Sequence, residues 1–414
     1  MTFGGEILFL AHRVPFPPDR GDKIRSHHVL KALAGLAPVH VVTFGDDARD
    51  MACEPDLAAV AASHCLVRRA MPLWRAGAGA LLSGSPVSLT AFHDARIAQF
   101  VARTLATRPI QTIYVFSGQM GQYVPAGFGG RVILDLVDVD SVKFEQYAAT
   151  GHGPRRWIDA REGRLLRREE ERLSALASHT LLVSEAEAEL FRSRLPGVDG
   201  HTVAWLGNGI DARFFDPLAC GKSPDLAFAP GPHIVFTGQM DYAPNVEAAL
   251  CLIEVIAPRI RKVHPDAVVH IVGRNPPAAL RRQDRRAGVR VWGAVPDVRP
   301  FLAAADIVAA PLALARGVQN KVLEAMAMAR PVLVTPQAAT GIDAADGVHL
   351  AVADGDDALT ERALALLAGK VASAHMGKAA RRFVLEHRSW DAMLAGLPTL
   401  AGFSGSAHEQ SDVA

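Results

Sequence analysis

The chain has 414 residues, with 44 Lys and Arg against 43 Asp and Glu, and a formal net charge of +1. At roughly 100–200 residues per domain this length fits two domains, and the near-average composition excludes a largely disordered chain. The charge balance argues against a nucleic-acid partner, which normally requires a basic face.

The cysteine spacing and the hydropathy of the chain bear on its cellular compartment and on whether it binds a metal. The four cysteines lie far apart without zinc-ligand spacing, so we expect reduced thiols and no metal site: Cys53, Cys65, Cys220 and Cys251. The start MTFGGEILFLAH lacks the basic region and cleavage site of a signal peptide, and no apolar run is long enough to span a bilayer. These features predict a cytoplasmic protein and leave peripheral contact with the membrane surface open.

Short apolar runs of strand length recur along the chain, each followed by a stretch with helical period. They are residues 6–12, 39–45, 112–118, 131–138 and 179–184 in the first half, and 233–238, 267–273, 289–295, 306–312, 331–336 and 349–353 in the second. Continuous apolar strands separated by helices indicate parallel sheets covered on both faces. The sequence therefore predicts an α/β protein with two doubly wound, Rossmann-like domains.

The expected domain boundary lies in segment 197–232, which is rich in Pro and Gly and shows no period. We expect domains at 1–200 and 201–400, with the last helices able to pack back on the first domain. The polar residues 402–414 predict a disordered tail. Ser184 and Glu187 have the spacing of a capping box, which opens a helix.

Open parallel sheets bind ligands beyond the carboxyl ends of their strands, and a cleft between two such sheets is the expected site. The first half places six candidates in these loops: His12, Gly21, Asp22, Lys23, Asp138 and Asp140. Gly21 would let a ligand approach the backbone, and Lys23 begins a helix where a phosphate could be held. Structural roles compete with these: a structural histidine is the favoured interpretation of His12, and the two aspartates could cap a helix.

The second half offers a candidate phosphate site in segment 316–335. It predicts a loop, a helix over about 320–329 and a buried strand. Backbone amides from Gly317 to Asn320 would lie at the helix N-terminus, which suits a diphosphate, and Arg316 and Lys321 would add cationic charge. Glu324, one turn further, could accept hydrogen bonds from two ribose hydroxyls. The strand-end residues Gly238 and Arg274 complete the candidate donor site.

These segments resemble a known family. LEAMAMARPVLVT looks like the donor-site signature of retaining glycosyltransferases of family 4, which have the two-domain GT-B fold, and WLGNGIDARFF and HIVFTGQMDYAPNVEA are similar to further family segments. AHRVPFPPDRGDKIRSHHVLKAL and LVDVDSVKF resemble the sugar transferases of PEP-CTERM/exosortase exopolysaccharide loci. The resemblance implies sugar transfer, with retention, from a nucleotide-diphosphate sugar to a glycan or lipid-linked acceptor, without cofactor or metal.

The resemblance also distributes roles. It assigns the donor to the second domain and the acceptor to the first. The family commonly has two glutamates, and the first of them would fall on Gly317 in this sequence. The family often has a histidine after the strand that corresponds to 131–138, where this sequence has Asp138 and Asp140 instead. Asp138, Asp140 and His12 are therefore the catalytic or sugar-contacting candidates. Two alternatives stay open: a nucleotide-sugar 2-epimerase or hydrolase of similar fold, and a noncatalytic nucleotide-sugar-binding protein.

Two further segments combine arginines with apolar side chains. Residues 155–173 carry seven arginines against five acids, for which a solvated helix is favoured over a membrane-surface patch. Residues 72–84 hold Trp74 and Arg75 beside apolar residues; burial in the core is favoured over insertion among lipid headgroups.

Overall fold

The computed structural model describes residues 4–195, 197, 200–227, 229–315 and 318–403. The chain divides into two compact units. Unit 1 comprises Met1–Asn208 with Met393–Ala414, and unit 2 comprises Gly209–Ala392. The expected tail at 402–414 falls outside the described residues from residue 404 onward.

Unit 1 is built on a seven-stranded parallel sheet in the order β3-β2-β1-β4-β5-β6-β7. Its strands are β1 Glu6–Ala11, β2 Val39–Gly45, β3 Ser63–Arg68, β4 Ile110–Phe116, β5 Arg131–Val137, β6 His179–Leu182 and β7 Val203–Trp205. Every residue of β1 and β2 is buried, as expected for strands covered by helices on both faces. Because β7 pairs with β6, unit 1 runs past residue 200 to Asn208, which lies within the expected boundary segment 197–232.

Nine helices of the described residues connect or cover these strands. They are α1 Gly21–Ala34, α2 Ala48–Met51, α3 Glu54–Val60, α4 Leu73–Ser83, α5 Val87–Thr90, α6 Ala95–Thr107, α7 Asp140–Thr150, α8 Pro154–Leu176 and α9 Glu185–Arg194, with 3-10 turns at Gly118–Tyr123 and Gly200–Thr202. Ser184 is confirmed as the N-cap of α9, where its hydroxyl accepts a hydrogen bond from the backbone N–H of Glu187 at 3.2 Å. The Glu187 carboxylate accepts from the backbone N–H of Val139 at 3.0 Å, so the reciprocal bond of a capping box is replaced by a tertiary contact.

Unit 2 contains a six-stranded parallel sheet in the order β10-β9-β8-β11-β12-β13. Its strands are β8 His233–Thr237, β9 Val268–Val272, β10 Val289–Gly293, β11 Ile307–Ala310, β12 Val332–Val334 and β13 Ala351–Val352. This order places the first three strands, β8 to β10, on one side of the sheet and the last three, β11 to β13, on the other, which is the doubly wound arrangement. The two predicted Rossmann-like sheets are therefore confirmed.

The described helices of unit 2, and the last helix among the described residues, follow the same alternation. They are α10 Pro224–Ala227, α11 Ala243–Cys251, α12 Ala257–Arg261, α13 Ala278–Arg281, α14 Arg299–Ala304, α15 Asn320–Ala327, α16 Pro336–Ala339, α17 Asp356–Ala368, α18 Lys370–His387, α19 Trp390–Met393 and α20 Leu397–Leu400, with a π-helical turn at Leu252–Ile256. Helix α20 belongs to unit 1, where the Thr112 hydroxyl donates to the carbonyl of Ala401 at 2.9 Å.

A buried ion pair joins α1 to the centre of the unit 1 sheet. The Arg25 guanidinium donates two hydrogen bonds to the Asp135 carboxylate, at 2.9 and 3.0 Å, and both side chains are fully buried. The Tyr114 hydroxyl donates to the same carboxylate at 2.7 Å. Arg25 also donates to the carbonyl of Leu206 and the side chain of Asn208, so it fixes the segment that leads into unit 2. This arrangement gives Arg25 a structural role.

Candidate functional site

The switch point of the unit 2 sheet lies between β8 and β11, which are neighbours although β9 and β10 come between them in sequence. The connections leave in opposite directions at such a point and open a crevice at the carboxyl ends of the two strands. The loop after β8 begins at Gly238, and the loop after β11 leads into α15. The sequence-predicted donor residues on these two loops therefore share one edge of the sheet.

The loops after β8 and β9 approach each other through glycine backbone. A Cβ atom added to Gly273 would lie 1.6 Å from the carbonyl oxygen of Gly238. A Cβ added to Gly238 would lie 3.0 Å from the Asn245 side-chain nitrogen and 3.2 Å from the Lys321 ammonium. The two glycines allow this close packing and keep the floor of the crevice open.

We expect Gly273→Ala to destabilise unit 2 by about 1–3 kcal/mol, because the added methyl group cannot fit without moving the β8 loop. Gly221→Ala is the matched control, since nothing lies within 4 Å of a Cβ at that position. Urea unfolding of both variants measures the difference. Equal stability of the two would contradict the packing described here.

Helix α15 presents Lys321 at this edge. Its ammonium donates to the side-chain oxygen of Asn245 and lies 5.1 Å from the centre of the Phe236 ring. Asn245 is buried, and its amide nitrogen donates to the carbonyl of Gln239 at 2.8 Å. Lys321 is therefore held in position by α11 and by the β8 loop. Asn320 is the first residue of α15 and lies at the positive end of the helix dipole.

Burial shifts the pKa values of both titratable groups on this helix face. It lowers the pKa of Lys321 to about 8, against the favourable effect of Glu324. It raises the pKa of Glu324 to about 7, although Lys321 acts in the other direction. Burial thus destabilises the charged forms of both side chains. A ligand that places an anion beside Lys321 and hydroxyl donors beside Glu324 would stabilise these charged forms.

The remaining donor candidates are one exposed residue and two residues that lie outside the described part of the chain. Arg274 is exposed in the loop after β9, where its guanidinium donates to the side chain of Gln239 at 2.9 Å. Beside it, Asn275 donates to Asp241 at 2.9 Å. These bonds join the β8 and β9 loops next to the crevice. Arg316 and Gly317 lie outside the described residues.

In unit 1, His12 lies directly after β1 within a charged network. Its Nε2 atom is 3.5 Å from the Asp22 carboxylate, which also accepts a 2.6 Å hydrogen bond from Arg13. Burial opposes ionisation of Asp22, but hydrogen bonds from His12 and Arg13 outweigh it and hold its pKa well below the usual range. The Nδ1 atom of His12 is buried without a hydrogen-bond partner among the described residues. His12 can therefore still accept or donate one hydrogen bond.

The structure does not fit the predicted phosphate contact at Gly21, Asp22 and Lys23. The Lys23 ammonium is buried, where it donates to Asp50 at 2.5 Å and to the carbonyl of Phe16 at 3.3 Å. The first turn of α1 carries the carboxylate of Asp22, which accepts from the backbone N–H of Lys23 at 3.1 Å. Nothing in the protein lies within 4 Å of a Cβ at Gly21, so packing within the protein does not require glycine there.

Asp138 and Asp140 follow β5 and are surrounded by partners that were not predicted from the sequence. The Lys143 ammonium donates to Asp138 at 2.9 Å and to Asp140 at 3.1 Å. Glu170 lines a small pocket with both aspartates and accepts hydrogen bonds from the backbone and hydroxyl of Ser141. Burial raises the pKa of Glu170 to about 7. The spacing of Asp140 and Lys143 on one helix could have indicated this pair.

Backbone geometry singles out the same edge of the unit 1 sheet. Ser117, after β4, has φ of 78°, and Val137, the last residue of β5, has φ of 71°. A positive φ is rare for a β-branched residue, and such strain concentrates at functional sites. No group of three or more potential metal ligands occurs among the described residues. The side chains near this edge that can form hydrogen bonds with a ligand are the carboxylates of Asp138 and Asp140, the Lys143 ammonium and the His12 imidazole.

Two Rossmann-like parallel sheets, with a candidate anion site at the switch point of the second, define the GT-B class of fold. Residues 231–369 match the family described as Glycosyl transferases group 1. No protein of curated function matches the sequence. The matched segment runs from β8 to the end of α17 and contains every donor candidate.

Solved structures share the fold over nearly the whole chain at low sequence identity. Anabaena Alr3699/HepE in complex with UDP and glucose is 14% identical, with a TM-score of 0.58 over 95% of this chain and 98% of that chain. Sucrose-phosphate synthase from Thermosynechococcus elongatus is 16% identical, with a TM-score of 0.63 over 96% and 98%. A glycosyltransferase from Rickettsia africae is 13% identical, with a TM-score of 0.62 over 97% and 99%. The domain match and the fold together support a glycosyltransferase, an enzyme of class EC 2.4.

Proposed function

We propose that the protein transfers a sugar, with retention of anomeric configuration, from a nucleotide-diphosphate sugar to a hydroxyl of a glycan or lipid-linked acceptor. The observation that carries the proposal is the pairing of Lys321 and Glu324 on α15 at the switch point of unit 2. An ammonium with a lowered pKa suits a diphosphate, and a carboxylate with a raised pKa suits two ribose hydroxyls.

In this proposal unit 2 binds the donor and unit 1 the acceptor. Lys321 and the N-terminus of α15 stabilise the negative charge that grows on the departing diphosphate as the glycosidic bond breaks. Arg316, Gly317, Asn320, Arg274 and Gly238 complete the proposed donor site. The UDP complex of the Anabaena structure supports a nucleotide ligand for this fold.

For the acceptor side we propose Asp138 and Asp140, with His12, as the groups that contact sugar hydroxyls. Lys143 holds the two carboxylates in place, and the Nδ1 atom of His12 is without a hydrogen-bond partner among the described residues. The resemblance to PEP-CTERM-associated transferases supports a role in exopolysaccharide or cell-surface glycan synthesis. We propose a cytoplasmic, metal-independent enzyme without further cofactor and without a nucleic-acid partner.

A ligand-binding screen followed by a transfer assay tests this function. We expect one nucleotide diphosphate, UDP or GDP, to raise the melting temperature selectively, with no further rise when Mg²⁺ is added. The corresponding nucleotide sugar should then yield a glycoside with the donor's anomeric configuration. Stabilisation without transfer would favour a noncatalytic binding protein, and a free or epimerised sugar would favour a hydrolase or epimerase. No stabilisation by any nucleotide would refute the proposed donor site.

The affinity for the nucleotide diphosphate should be greatest between about pH 7 and 8. Above pH 8 the free protein loses the Lys321 proton that a bound diphosphate favours, so affinity falls as pH rises. Below pH 7 the free protein protonates Glu324, whereas ribose hydroxyl donors favour its carboxylate, so affinity falls as pH decreases. Titration calorimetry should show that Lys321→Met removes the alkaline decrease and Glu324→Gln the acidic one. A wild-type affinity that is flat from pH 6 to 9 would contradict both assignments.

A further inference from the structure

Helix α4 exposes its most apolar side chains. Trp74, Leu81 and Leu82 are 70%, 63% and 91% exposed, whereas Ala76 and Ala80 are fully buried. Trp74, Ala78, Leu81 and Leu82 follow the spacing of one helical face. The interpretation of residues 72–84 as core is therefore wrong: small residues form the packed face, and large apolar residues form the outer one.

The packed face of α4 is fully used within unit 1. A Cβ at Gly79 would lie 3.2 Å from a Thr90 methyl group, so α4 lies close against α5. Replacement of Gly79 by a larger residue is sterically opposed there. The outer face of α4 therefore has no alternative position in the core.

A second apolar site lies on α8 beside the end of α4. The Arg161 guanidinium donates to the carbonyl of Ala80 at 2.8 Å and to that of Ser85 at 3.3 Å. Trp157 and Ile158, 61% and 50% exposed, precede Arg161 by four and three residues and so lie on the same side of α8. The side of α8 that carries Trp157 and Ile158 is thus the side that contacts the end of α4 through Arg161.

The charges of α8 are sorted between its inner and outer faces. Asp159, Glu162 and Glu170 are buried, and Glu162 accepts hydrogen bonds from the backbone N–H groups of Val87 and Ser88. The exposed charges around the apolar side chains are basic: Arg75, Arg155, Arg156 and Arg164. The surface is therefore apolar at its centre and cationic at its border.

We propose that this surface, formed by Trp74, Leu81, Leu82, Trp157 and Ile158 with the four bordering arginines, docks unit 1 on a bilayer of anionic lipids. Tryptophan and leucine side chains insert at the level of the headgroups, and arginines pair with lipid phosphates. No described helix is long and apolar enough to cross a membrane, so the contact is interfacial. The cationic border selects an anionic lipid surface rather than an apolar protein partner.

Vesicle co-sedimentation of the purified full-length chain tests the proposal. We expect binding to vesicles of equimolar phosphatidylcholine and phosphatidylglycerol, and much weaker binding to phosphatidylcholine alone. Leu82→Ser should lower the partition coefficient about tenfold, whereas Leu218→Ser, which alters a leucine that is 95% exposed in unit 2, should leave it unchanged. Arg155→Gln with Arg156→Gln should lower it about thirtyfold, against no change for the exposed pair Arg281→Gln with Arg282→Gln.

Three results would overturn the proposal. The wild-type chain could stay in the supernatant with both vesicle types, or the surface and control variants could bind equally. The free protein could also sediment as a dimer that Leu82→Ser converts to a monomer, which would assign the surface to a second copy of the chain. No nucleotide sugar is present in these measurements, so their outcome is independent of the proposed transferase activity.

Discussion

Glu324→Ala is expected to weaken nucleotide-diphosphate binding roughly thirtyfold or more and to reduce sugar transfer at least as much. The carboxylate is proposed to accept two ribose hydrogen bonds, and loss of such charge-assisted bonds costs about 2 kcal/mol or more. Binding calorimetry and an initial-rate assay measure the two effects. Unchanged transfer by the variant would remove Glu324 from the site.

The stability of this variant provides an independent check. Burial raises the pKa of Glu324 to about 7, so above that pH its ionised form destabilises the folded protein relative to the unfolded chain. At pH 8 we therefore expect Glu324→Ala to melt at the same or a higher temperature than wild type while it loses binding. Glu361→Ala, an exposed position on α17, is the matched control and should change neither property.

Arg25→Met is expected to destabilise unit 1 by about 3–5 kcal/mol, because it leaves the Asp135 carboxylate buried without its counter-ion. For a unit of this size the melting temperature should fall by about 10 °C or more. Differential scanning calorimetry, with the transition of unit 1 followed separately, gives the measurement.

A double-mutant cycle distinguishes the ion pair from simple packing. Arg25→Met combined with Asp135→Asn should recover much of the lost stability, since the neutral amide oxygen can still accept the hydrogen bond from Tyr114. Additive losses in the double variant would show that packing of the Arg25 side chain, rather than its charge, holds α1 on the sheet.

The sheets could be predicted from sequence because their central strands are long, continuous apolar runs. The prediction missed β3 and β7, which are the two edge strands of unit 1. An edge strand has one neighbour and less burial: of the six residues of β3 only Val67 is buried, and β7 has three residues. Such strands lack the apolar pattern on which the prediction rests.

For the site residues, prediction from sequence is limited by contacts between residues that are distant in the chain. Candidates on α15 were accessible to sequence analysis because they follow one another on a single helix. Lys23 was misjudged because its partner, Asp50, is 27 residues away in the chain. Sequence shows that a basic residue begins a helix, but only the tertiary structure shows whether it faces a ligand or an internal carboxylate.

The return of α20 to unit 1 makes unit 2 an inserted domain. Its two ends are adjacent: the backbone N–H of Ile210 donates to the carbonyl of Arg388 at 2.8 Å, and that of Trp390 to the carbonyl of Ile210 at 3.2 Å. Unit 2 can therefore be exchanged as one module between residues 208 and 393, whereas truncation at residue 208 would deprive unit 1 of its last helix. Because unit 2 carries the proposed donor site, its exchange between homologous chains is expected to exchange donor specificity with two cuts at neighbouring points, without a new junction within either sheet.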